Sequence, residues 1–239
     1  MDTLLRAGAS DAEAEHSVRQ ALAAGLDADL RMKEGATLLH VASMSDSVGV
    51  ARALIEAGAN VHARSDRGAA PLHICCKYDA FRVAHALLES GVDIHADVAG
   101  TEPLHVAAWY GSVRVARLLL KAGAPVEASL DLDSAFLTAG ATPLHCCAGS
   151  ASKGSVAVTR LLLAAGADKN AQDDLGATPL HVSSRTGRVD VATILLEACA
   201  DPNIRDDDGR TPLECSSDAH VAELLLVEGL NKVRVEGGG

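Results

Sequence analysis

Six leucines, Leu39, Leu72, Leu104, Leu144, Leu180 and Leu213, are each followed three and four positions later by a pair of small side chains. The pairs are Ala42/Ser43, Cys75/Cys76, Ala107/Ala108, Cys147/Ala148, Ser183/Ser184 and Ser216/Ser217. Positions i, i+3 and i+4 share one face of an α-helix, so each leucine predicts a short helix with a narrow apolar stripe. A denser apolar run comes next. Over residues 97–126 it consists of Val113, Val115, Ala116, Leu118, Leu119 and Leu120, a second helix that Gly123 ends in a left-handed turn. Neither helix can bury its stripe alone, which predicts antiparallel pairs stacked on further pairs.

Each leucine also sits in a recurring start signal. The copies are Thr37-Leu38-Leu39-His40, Ala70-Pro71-Leu72-His73, Glu102-Pro103-Leu104-His105, Thr142-Pro143-Leu144-His145, Thr178-Pro179-Leu180-His181 and Thr211-Pro212-Leu213-Glu214. Proline suits the first helical position, where its missing N–H had no helical partner. Threonine before it can cap the free amides of the first turn; in the third copy Glu102 stands at that position. Thr211 and Glu214 form a capping-box pattern, as a repeat with no successor requires.

Between successive motifs the steps are 33, 32, 40, 36 and 33 residues. A period near 33 with this signature resembles the ankyrin repeat, from Leu4 to about Leu230. The resemblance implies an all-α fold, an ankyrin-repeat α-solenoid of antiparallel helix pairs with β-hairpin or loop connections. One domain is expected over residues 1–232, with an N-terminal cap at 1–31, repeats at about 32–64, 65–96, 97–136, 137–172 and 173–205, and a C-terminal cap at 206–232. Seven helix pairs and a frayed tail at 233–239 complete the expectation.

The longer steps place seven extra residues within 129–139 and three within 149–155, both outside the helical stripes. The first insertion carries Leu130, Leu132, Phe136 and Leu137, and either a tolerated flexible loop or a contact surface accounts for it. Cys199 stands where other copies have Gly58, Gly91, Gly123 and Gly166, so a strained, irregular turn is expected there.

Composition narrows the function classes. The chain is 48% hydrophobic and 2% aromatic, which fits helices packed closely through Ala, Leu and Val. With a net charge of −11 and no run of Lys and Arg, nothing supports nucleic-acid binding or adhesion to anionic membranes. The start of the chain lacks a secretion-signal pattern and no apolar stretch reaches about 18 residues. The expectation is a monomer in the cytoplasm or nucleus.

Five motif histidines, His40, His73, His105, His145 and His181, invite a metal reading, but helix spacing holds successive copies about 8–10 Å apart, too far to share an ion. By resemblance to the family, these histidines bond the helix start and neighbouring backbone. Cys75-Cys76 and Cys146-Cys147 lie two repeats apart and read as small core residues. No phosphate loop, nucleophile elbow or zinc-protease helix appears, so neither catalysis nor a cofactor or metal is expected.

The resemblance implies a protein partner gripped on the concave side, by hairpin tips and by the residues after each small pair. The chain's only Trp and both Tyr fall on that row. Lys77, Tyr78, Trp109, Tyr110 and Arg185 are therefore candidate contacts, since Trp and Tyr bury much area at little entropic cost. At the tips the candidates are Asp66, Arg67, Asp174, Asp207 and Asp208. The clusters Asp173-Asp174 and Asp206-Asp207-Asp208 read either as solvated tips or as a surface that steers a basic partner. A scaffold or adaptor is the leading reading. The alternative is an assembly chaperone or inhibitor that masks its partner's functional surface.

Overall fold

The computed structural model describes residues 10–98, 100–131 and 137–236, the last nine as backbone only. In chain order its helices are α1 (Asp11–Ala23), α2 (Leu38–Ser45), α3 (Val48–Glu56), α4 (Pro71–Tyr78), α5 (Phe81–Glu89) and α6 (Pro103–Tyr110). They continue as α7 (Val113–Lys121), α8 (Pro143–Gly149), α9 (Ser155–Ala164), α10 (Pro179–Thr186), α11 (Val189–Glu197) and α12 (Ala219–Glu236). Five complete pairs, α2/α3 to α10/α11, are flanked by α1 and α12. In the last repeat Pro212–Cys215 forms turns instead of a first helix, and α12 runs on to Glu236, beyond the expected start of the tail. Leu4 and the rest of residues 1–9 lie outside the described residues.

Inner helices pack on inner helices, α2 on α4, then α6, α8 and α10, while α3, α5, α7, α9 and α11 form a parallel outer row. The motif leucines Leu39, Leu72, Leu104, Leu144 and Leu180 are fully buried, as are the small residues after them. Small side chains at i+3 and i+4 let each inner helix approach the next closely, and the leucine fills the gap. The core is thus one ribbon through the stack.

Outer helices α5 and α7 begin under control of the repeat before them. Asp46 and Asp79, left-handed residues ending α2 and α4, accept hydrogen bonds from the first-turn amides of Val83 (3.0 Å) and Val115 (3.0 Å). Arg82 and Arg114 clamp the same aspartates at 3.1 and 2.9 Å. In later repeats Gly111 and Gly187 take the left-handed position, and hydroxyls serve as the cross-link: Ser152 donates to the Tyr110 carbonyl at 2.7 Å.

The insertion before α8 is closed at its base, where the Leu130 and Gly140 amides donate to the Ala141 and Leu130 carbonyls at 3.0 and 2.7 Å. Leu130 and Leu137 are buried in the core, which anchors both ends of the loop; Leu132 and Phe136 lie outside the described residues. Cys199 does adopt a positive φ of 63°, yet its turn is as regular as its glycine counterparts. The Cys199 and Ala200 amides bond Leu196 and Leu195 in the pattern Gly58 and Ala59 follow, so strain stays in one residue and does not spread to the hydrogen bonds.

Candidate interaction surface

The loops between repeats project as tips beyond the inner helices, and two sets of hydrogen bonds hold them there. The first set uses the motif histidines. His40 Nδ1 accepts from the Thr37 amide at 3.1 Å, and its Nε2 donates to the Ala69 carbonyl of the next tip at 2.9 Å. His145 and His181 repeat this with Thr142 and Ala177, and with Thr178 and Arg210. A carbonyl can only accept, so the proton sits on Nε2 and the ring is neutral.

His73 and His105 keep the forward bond, to Thr101 and Ala128, but Ala70 and Glu102 replace threonine and their Nδ1 atoms have no partner. Burial pushes both of these rings down to about 4. The histidines are structural rivets, one per repeat.

The second set joins tip to tip. The amides of Asp66, Asp174 and Asp207 donate to the carbonyls of Glu34, Ala139 and Leu175 in the preceding tip at 2.9, 2.9 and 3.0 Å. Gly35 shows why glycine follows each accepting residue: its φ is +67°, and a Cβ there would lie 2.2 Å from the Asp66 carboxylate. One isolated bridge, Val98 with Thr101, is the only β-pairing among the described residues, so the tips are turns with hairpin-like bonding.

Asp173 and Asp206 are not solvated tip charges. Both are buried: Asp173 Oδ1 accepts from the Leu175 and Ala177 amides at 3.0 and 2.9 Å, and Asp206 bonds the Arg210 amide and guanidinium. Their carboxylates shape the turn. Asp174, Asp207 and Asp208 remain exposed, with Asp208 paired to Arg210 at 2.6 Å.

Tips and inner helices enclose a groove of about 450 Å³ over α2, α4 and α6. Met44, Ile74 and Val106 give it an apolar floor, and Lys33, Arg67 and Lys77 stand on its rim. The Lys77 ammonium lies 5.5 Å from the Tyr78 ring and 5.6 Å from the Tyr110 ring, within reach of both π faces. Tyr78 and Tyr110 are 47% and 43% exposed. Of the candidate residues, then, Arg67, Lys77 and Tyr110 line the groove together, and Tyr78 stands beside Lys77.

The others do not join them. Trp109 is half-buried and packs on the core beside Gly149 of the next repeat, where a Cβ would come within 3.1 Å of its ring. Its carbonyl accepts from Ser150, which ties it further to that repeat. Arg185 is exposed on α10, two repeats away, with Asp174, Asp207 and Asp208 on neighbouring tips. Asp66 sits at a tip facing Arg31 at 3.8 Å. Ile74 and Val106, missed as candidates, follow the motif histidines directly. They stay half-buried where core positions close, a signal that alternation along the helix carries.

Nothing in this arrangement gathers reactive groups. All six cysteines are free, and burial pushes the Cys75 and Cys147 thiols up to about 12, which removes the thiolate needed for metal binding or attack. Among the described residues no cluster of three metal-ligating side chains exists, and no helix is long and apolar enough to cross a membrane.

A family model for ankyrin repeats, built on three copies, matches residues 7–98, 58–132, 95–173 and 149–235. The chain belongs to the ankyrin repeat family. Among solved structures, this ankyrin repeat chain is similar to the human ASB11 ankyrin repeat domain, with a TM-score of 0.77 and 25% identity over 90% of this chain and 92% of that one. It is also similar to the ankyrin repeat domain of Bcl-3, a member of the IkappaB protein family, with a TM-score of 0.72 and 27% identity over 91% of this chain and 93% of that one. No curated protein sequence matches it at a significant level.

Proposed function

We propose that this ankyrin repeat protein is a non-catalytic interaction module, a scaffold or adaptor, that holds a protein partner against its inner face. Contact centres on Arg67, Lys77, Tyr78 and Tyr110. The observation that carries this reading is the groove itself: the half-exposed Tyr110 and the Lys77 ammonium stand over an apolar floor, and half-exposed Tyr78 lies against the same ammonium. Half-exposed tyrosines beside a concave apolar surface are the features that dominate interface energetics. The rigid frame of histidine and tip bonds supports preorganisation, so little ordering entropy opposes binding.

A photo-cross-linking residue placed at Tyr110, and separately at Arg117 on the outer row, tests the face. The expected result is polypeptide adducts in cell extract from position 110 and few from position 117. Adducts from position 117 alone, or from neither, would contradict the assignment.

A further inference from the structure

We infer that the groove over α2, α4 and α6 takes an extended acidic segment of a partner that carries one large apolar side chain. This rests on the inner face being the interaction surface and specifies what that face recognises. The chain as a whole carries a net charge of −11, yet the groove reverses that sign locally. Its rim holds Lys33, Arg67 and Lys77 against a single acid, Glu34, which Arg67 already engages at 3.5 Å.

Among the described residues no ion pair joins Lys33 or Lys77 to a carboxylate. His40 and His73 also border the groove, but burial lowers both and their Nε2 atoms are committed to backbone carbonyls. The lysines are the cations left to answer.

Size and polarity agree with a segment of chain. A volume of about 450 Å³ falls in the range that encloses a small ligand or a few side chains, and is far too small for a folded domain. The floor offers the side chains of Met44, Ile74 and Val106, and the first two tips beside it are joined by the bond from the Asp66 amide to the Glu34 carbonyl. Side chains on the floor and rim therefore carry the recognition. The far end of the same face bears exposed Asp174 and Asp207, which repel an acidic segment and confine it to the amino-terminal repeats.

Random dodecamer peptides displayed on phage, selected on the immobilised full chain, test the assignment. Three forms are compared: wild type, Lys33→Glu with Arg67→Glu and Lys77→Glu, and Asp174→Lys with Asp207→Lys. All five positions are exposed, and circular dichroism checks the fold; if the triple variant unfolds, Lys77→Ala replaces it. The wild-type pool should be rich in Asp and Glu around one Leu, Met or aromatic residue.

That pool should vanish with the lysine and arginine reversals and survive the aspartate reversals. A synthetic winner should bind Lys77→Ala about tenfold more weakly and lose affinity from about 50 to about 300 mM salt. A basic or uncharged consensus, or one lost only with the aspartate reversals, overturns the acidic assignment and leaves the inner face standing. No enrichment, or pools indifferent to both variants, overturns both. So does sedimentation that finds the groove filled by a second copy of the chain.

Discussion

Helices α4 and α10 occupy equivalent places three repeats apart, with equal interiors and opposite exteriors. Inside, Leu72 and Leu180 are fully buried, and the pairs Cys75/Cys76 and Ser183/Ser184 are equally sealed. The serines are tolerated because both hydroxyls donate to the Leu180 carbonyl within their own helix, at 2.9 and 2.8 Å. Outside, α4 continues with Lys77, Tyr78 and left-handed Asp79 beneath the Arg67 tip, whereas α10 continues with Arg185, Thr186 and Gly187 beneath Asp174 and Leu175. Stacking fixes only the positions that face the neighbouring repeats. The remaining positions are free to diverge, and the basic aromatic groove is where they have.

If the interiors are equivalent, Leu72→Ala and Leu180→Ala should cost alike, about 2–5 kcal/mol each. Urea unfolding measures this, and a clear inequality between the two would break the comparison at its base.

The histidines sharpen it through pH. Burial lowers His73 to about 4, so between about 6.5 and 4 the unfolded chain binds the extra proton. Stability should therefore be complete above about 6.5 and fall with acidification, approaching about 1.4 kcal/mol per pH unit for this one ring. Urea midpoints from neutral pH to about pH 5 should drop in wild type and drop less in His73→Gln. An unchanged slope would show that His73 is not the buried neutral group described.

Asp79 distinguishes the two cross-links. Asp79→Gly should lose about 0.5–2 kcal/mol by uncapping α7, while Asp79→Ala should lose about 1–2 kcal/mol more because a Cβ remains at positive φ without its bonds. Equal losses in the two variants would refute the backbone component. The smallest change concerns the missing cap: Ala70→Thr should gain about 1 kcal/mol, since Ala70 has the φ and ψ (−93°, 162°) that Thr178 uses (−91°, 166°) to meet its histidine. A thermal melt reads this directly.

Much of the fold could be read along the chain, because leucine, two small residues and a glycine recur in step and each is a local signal. The last repeat escaped that reading. Thr211 and Glu214 do form their capping box, at 2.7 Å from the Thr211 amide, but without a following inner helix to pack on, Pro212–Cys215 relaxes into turns. Long-range bonds were equally hidden: Asp46 and Asp79 look like ordinary loop acids until Arg82 and Arg114 are brought against them.

The site was half legible. Lys77, Tyr78 and Tyr110 follow from their place after the small pairs, whereas Trp109, in the same register as Lys77, turns toward Gly149 and the core. The missing side chain of Gly149 leaves room for its ring, a feature of the next repeat that the helix's own pattern does not carry. Asp173 and Asp206 misled for a related reason: charge suggests solvent, but their carboxylates fold back onto amides of their own turns.

The claim that the amino-terminal repeats grip the partner is tested most directly by hydrogen–deuterium exchange of the chain alone and with a selected peptide bound. Slowed exchange is predicted over residues 33–44, 65–78 and 98–110, with residues 174–187 unchanged. Slowing confined to 174–187, or to the outer row of helices, would contradict it.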